Sequence, residues 1–174
     1  NKVFLNEVHF SASSGSSNLS YYRDGYVSQF GPFDVNRLRI DNNGTVGFNG
    51  TSIGTLQLNG GKAYRFESGA NIDIGNIVAM ATCARPITIQ STTSGDPAVW
   101  HIGGSQSLAY LNVQGITVTG GTITADMSSD LGANSGWTFS NTAGTTLYWV
   151  GGTGNWSDPM HWSNASGGTP GACI

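Results

Sequence analysis

Short apolar alternations run along the chain, and Gly or Asn closes each of them. Leu38-Arg39-Ile40 leads through Asp41-Asn42-Asn43-Gly44 to Val46-Gly47-Phe48, and Leu56-Gln57-Leu58 through Asn59-Gly60-Gly61 to Tyr64-Arg65-Phe66. Ile72-Asp73-Ile74 leads through Gly75-Asn76 to Val78-Ala79-Met80, and Ile87-Thr88-Ile89 through a longer loop to Val99-Trp100-His101-Ile102. Leu111-Asn112-Val113 and Ile116-Thr117-Val118 are separated only by Gln114-Gly115. Outer residues are apolar and the middle one is mostly polar, the pattern of a strand with one buried face.

The spacing of these units is more informative than the strands. First strands begin at 38, 56, 72, 87 and 111, steps of 18, 16, 15 and 24 residues with two short strands in each. Such a period suits the coils of a β-solenoid. A hairpin meander in an antiparallel β-sandwich is the alternative, with Asn43-Gly44 or Asn59-Gly60 as its turns. Two features favour the parallel β-helix. The strands are only three to five residues long, and the loop at 90–97 expands without breaking the period, as an insertion between coils would. Leu38, Ile40, Leu56, Leu58, Ile72, Ile74, Ile87, Ile89, Leu111 and Val113 are then expected to stack in one interior column, with coils about 4.8 Å apart. The expected organisation is a solenoid module over 1–140 and a Trp-rich connecting or capping segment over 141–174.

Composition narrows the choice. Gly, Asn, Ser and Thr number 26, 15, 20 and 17 of 174 residues, whereas charged residues make up only 10%. Strong helix formers are scarce, which argues against a helical bundle. Seven Lys and Arg against ten Asp and Glu leave a net charge of −3, so nucleic-acid binding through a basic patch is excluded. A hydrophobic content of 38% supplies a core and argues against disorder. No apolar run reaches membrane-spanning length. Asn1 opens directly into Val3-Phe4-Leu5 with no signal-peptide pattern, so the chain reads as a piece of a longer protein. Five Asn-x-Ser/Thr triplets, at Asn18, Asn43, Asn49, Asn155 and Asn164, are close to what this composition gives by chance and carry no weight as glycosylation sites.

The tail is distinctive. From Leu147 it reads Leu-Tyr-Trp-Val-Gly-Gly-Thr-Gly-Asn-Trp-Ser-Asp-Pro-Met-His-Trp-Ser, and it continues through Gly167-Gly168 to Gly171-Ala172-Cys173. This segment resembles the YWVGGxGNWxDPxHWS…GGxxGAC segment of the tandem β-helical modules in very large cell-surface, adhesin-like proteins of Bacteroidetes-type bacteria. The stretches 115–121 and 134–139 look like the part that precedes that segment there, and 1–12 like the strand that follows it. About a third of the chain is covered. The resemblance implies an exported, adhesin-like architecture, typically type IX secretion cargo, with neighbouring copies of the repeat as partners and no enzyme activity. It also implies that 174 residues approximate one repeat.

Four residue sets could carry chemistry. Asp34, Asp41, Asp73 and Asp96 are too scattered for the clustered carboxylates of a β-helical polysaccharide-degrading enzyme, and Arg39, Gln57 and Asp73 read as a solvated outer face. Asp126, Asp130 and Asn134 lie four apart in one polar loop and could offer hard oxygen ligands to calcium, though Asp and Asn also form turns on their own backbone. Calcium is the one candidate in a chain otherwise expected to need no cofactor. Trp149, Trp156 and Trp162 with Asp158 could bind sugar, or the indoles could fasten the tail to the solenoid end, packed between coil stacks. Cys83 and Cys173 are the only cysteines and should be oxidised in an exported protein. Either they pair with each other or each takes a cysteine outside the chain, and the repeat pattern favours the second.

Taken together, the residues and the resemblance point to a non-enzymatic structural repeat of a secreted or surface-anchored bacterial adhesin. It would extend and rigidify a stalk on the cell surface, with cell-surface glycans or proteins as further partners. A carbohydrate-binding module is the alternative, and a polysaccharide-degrading enzyme the third reading.

Overall fold

The computed structural model describes residues 3–10, 16–20, 33–40, 43–47, 50–140 and 146–172, with side chains described for 37–39, 50–140 and 146–172. The chain is a parallel β-solenoid. One six-stranded sheet runs in the order β1 (Val3–Phe10), β3 (Phe33–Ile40), β5 (Thr51–Asn59), β7 (Asn71–Met80), β9 (Ala98–Ile102) and β12 (Ile116–Thr119). A second contains β2 (Ser16–Ser20), β4 (Asn43–Gly47), β6 (Ala63–Phe66), β8 (Ile87–Ser91), β11 (Leu111–Gln114) and β14 (Ser129–Asp130). A third, of three strands, joins at the later coils: β10 (Ser105–Ala109), β13 (Thr122–Asp126) and β15 (Trp137–Ser140). Every ladder among these fifteen strands is parallel. An antiparallel sandwich is thereby excluded, because its hairpins would pair strands adjacent in sequence in opposite directions.

The interior is built as stacked apolar rows. Leu38 pairs with Leu56 and Leu56 with Ile77; Ile53 pairs with Ile74 and Ile74 with Ile102. Tyr64 pairs with Ile89 and Ile89 with Val113 on the second sheet. All of these belong to one buried cluster. Phe66, Trp100 and Trp137 continue it as an aromatic series, with ring centroids 4.8 Å and then 6.0 Å apart.

The expected single column is corrected in one respect. Leu38, Leu56, Leu58, Ile72 and Ile74 are buried as expected, and so are Ile87, Ile89, Leu111 and Val113. They divide, however, between two sheets: the first set, with Ile40, sits on β3, β5 and β7, the second on β8 and β11. The cause lies in β7, which runs for ten residues straight through Gly75-Asn76. That dipeptide is a strand interior, not a turn, so Ile72-Ile74 and Ile77 are two halves of one element. The register skips the Gly54/Gly75 level, passing from Ile53↔Ile74 to Thr55↔Asn76. A Cβ on Gly75 would lie 2.7 Å from the Gly54 carbonyl oxygen, so glycine permits the two coils to approach at this level.

Corners are closed by small residues and by side chains that bond from coil to coil. Gly121 lies directly against Gly104, whose carbonyl oxygen would be 1.9 Å from an added Cβ. Ser68 reaches Ser91 Oγ at 2.9 Å, and its N–H donates to Thr92 Oγ1 at 3.0 Å. The longer loop after β8 is a turn pinned by Ser91 Oγ donating to the Asp96 carbonyl at 2.6 Å, and it projects without disturbing the ladders on either side.

Candidate functional site

The tail carries the candidate aromatic side chains. β16 (Tyr148–Trp149) pairs antiparallel with β17 (Trp162–Ser163), and a 3-10 turn, Pro159–His161, leads into β17. Asp158 caps that turn: its Oδ1 accepts from Met160 N at 2.9 Å, and Pro159 follows at the first helical position, where no N–H is needed. The Gly151-Gly152 pair has positive φ (79° and 45°), a conformation that glycine adopts without strain. The Gly171 and Ala172 amides both donate to the Trp162 carbonyl at 3.0 Å, so the chain folds back across β17.

The three tail tryptophans do come together. Trp162 is 6% exposed and forms the base of the cluster. Trp149 and Trp156 meet it edge-to-face at 5.3 Å and 4.5 Å. The two upper indoles lie within 24° of parallel, 6.2 Å apart. The His161 ring, which no spacing in the sequence singled out, stacks on Trp149 at 4.8 Å and 7°. His161 Nδ1 donates to the Gly151 carbonyl at 2.8 Å, while Nε2 lies 4.0 Å from Asp158 Oδ2. Trp149 Nε1 donates to the Gly152 carbonyl and Trp162 Nε1 to the Trp156 carbonyl, at 2.9 Å and 2.8 Å. Trp149 Nε1, Trp162 Nε1, His161 Nδ1 and Asp158 Oδ1 are thus used to set the loop's shape. Trp156 stands outside this set, 74% exposed, with Trp149 at 40%. In this chain those two indoles are exposed.

The loop weighed as a calcium site is organised by hydrogen bonds among its own side chains and backbone. Asp130 Oδ1 accepts from Asn134 Nδ2 at 2.6 Å and from Gly132 N at 2.8 Å. The Asn134 amide also accepts from Ile116 N at 3.0 Å and donates to the Val113 carbonyl at 2.8 Å, tying the loop to the preceding coil. Asp126 lies at the end of β13 and takes the Ser140 hydroxyl at 3.2 Å. Asp130 and Asn134 are thus brought together, and Asp126 is engaged elsewhere. Among the described residues no three His, Cys, Asp or Glu side chains are grouped to hold a metal ion.

Asp73 and Asp96 are exposed, one on β7 and one on the loop after β8, while the Asp34 side chain and Asp41 lie outside the described residues. Gln57, read as part of a solvated outer face, is buried. Its amide accepts from the Arg37 guanidinium and donates to Met80 Sδ at 3.5 Å, so it works as a rung between coils. Cys83 sits in the turn pinned by the Thr82–Arg85 bridge and is disulfide-bonded; Cys173 lies outside the described residues. No helix among the described residues is long and apolar enough to cross a membrane. No protein-family model, no curated protein and no solved structure matches this chain.

Proposed function

We propose that the chain is a structural repeat of a secreted or surface-anchored bacterial adhesin, whose work is to extend and stiffen a stalk or filament. The observation that carries this reading is the continuous parallel stack, with its apolar interior and its hydrogen-bonded side-chain rungs, Arg37–Gln57, Ser68–Ser91 and Asn134–Val113. A body in which each coil contacts its neighbours through a full ladder resists bending, and its length scales with the number of coils. The disulfide at Cys83 supports an oxidising, extracellular location. Neighbouring copies of the same repeat are the partners in this reading, and no catalytic step is assigned. Exposed Asp73 and Asp96, on separate segments, offer no converging acid and base.

Two copies of the 174-residue chain joined head to tail test the proposal by small-angle X-ray scattering. A maximum dimension close to twice that of one copy, with a rod-like cross-section, is the expected result. A profile of two beads averaged over many orientations would overturn it. Release of reducing sugar from an acidic polysaccharide, lost on Asp73→Asn, would establish enzyme activity instead.

A further inference from the structure

The exposed Trp156 face has no part in holding the coils, and we infer that it is a stacking site for a neutral sugar ring. The inference stands apart from the stalk proposal, since a stiff rod could exist with or without it. Four observations carry it. First, Trp156 is 74% exposed on a loop whose shape is already fixed by the Trp149 and Trp162 indole N–H bonds and by the Asp158 cap, so little order is lost on binding. Second, the indole is backed by Trp149 and propped edge-on by buried Trp162, which holds it in one orientation.

Third, the occupant is limited by size. At 150–250 Å² for each aromatic side chain, the exposed parts of the stacked Trp149–Trp156 pair amount to on the order of 200 Å², with Tyr148 and Met160 also exposed in the same segment. A pyranose ring with its axial C–H groups on one face is of the right scale. Fourth, the occupant is limited by charge. Residues 146–172 contain Asp158 as their only acid and no Lys or Arg, so the segment lacks the cations that an acidic polysaccharide, a phosphate or an anionic membrane would require. Asn155 and Ser157, both exposed, flank the indole in sequence and offer an amide and a hydroxyl within the same loop.

The test uses the whole chain and three neutral probes, cellohexaose, mannohexaose and N-acetylchitohexaose, with polygalacturonate as the acidic control. Tryptophan emission is followed in titration. At least one neutral probe is expected to give a saturable shift in the millimolar range, with no response to polygalacturonate. Trp156→Ala should weaken that association about tenfold or more, while Trp156→Tyr keeps most of it. Near-UV circular dichroism from the Trp149–Trp162 pair shows whether each variant keeps the tail folded. The inference is overturned if no neutral probe binds, if binding survives Trp156→Ala in a folded tail, or if Trp156 proves to drive self-association of the free chain.

Discussion

The coil stack and the aromatic tail satisfy the same physical demand in different ways. Between residues 51 and 140 the backbone is paired in parallel ladders, and the side chains below them form a dry interior that includes Leu58, Ile89, Trp100 and Val113, all 0% exposed. Between 146 and 172 the only ladder is two residues against two. There the backbone carbonyls of Gly151, Gly152 and Trp156 are taken by a His ring and two indoles, and a carboxylate takes the Met160 amide. The stack gains stability from repetition, so each coil depends on its neighbours. The tail gains it from a few particular side chains gathered on Trp162. Damage should therefore spread in the first region and stay local in the second.

Leu58→Asp should produce the largest effect. Leu58 is fully buried on β5 between Ile40 and Ala79, and an unpaired carboxylate there costs more than about 4 kcal/mol, enough to abolish the cooperative far-UV melting transition. Trp162→Ala should be nearly as severe, about 3 kcal/mol, but confined to the tail. The expected result is rapid hydrogen exchange at Val150 and Ala172 with no change in the melting midpoint of the coils; a lowered midpoint would break the distinction between the regions. Gly121→Ala is expected to cost about 2 kcal/mol in chemical denaturation, because the added methyl meets the Gly104 carbonyl and both coils must separate. Thr51→Val should act in the opposite direction. The Thr51 hydroxyl is buried without a hydrogen-bond partner, so its removal at constant shape should leave stability unchanged or raise it by up to about 1 kcal/mol.

Much of the fold was legible because its period was. Gly and Asn at the corners placed the Asn59-Gly60-Gly61 turn between β5 and β6, and the loop at 90–97 between β8 and β9, whereas β5 and β7 run nine and ten residues, longer than the three to five expected. A period of two states which face of a strand is buried, but not which sheet the strand joins, and for that reason Ile72 and Ile87 were expected in one column. Gly75-Asn76 has the composition of a turn, and only the Gly54 backbone beneath it explains why glycine stands inside a strand. Gln57 alternates as an outward residue should, yet the long side chains of Arg37 and Met80 cover it. In the tail the tryptophans were conspicuous and their clustering followed. The stacking of His161 on Trp149 depends on the chain reversing between β16 and β17, which no local pattern announces.

Native-state hydrogen exchange followed by mass spectrometry tests most directly whether the coils behave as one stiff body. Peptides covering β5, β7, β8 and β9 should share a high protection, with amides such as Val99 and Ile87 opening together only in the global unfolding reaction. Peptides covering 147–163 should exchange earlier, through an opening of their own. If the coil peptides instead exchanged one after another at widely separated rates, with no common unfolding step, the stack would be a chain of loosely coupled turns and could not serve as a rigid stalk.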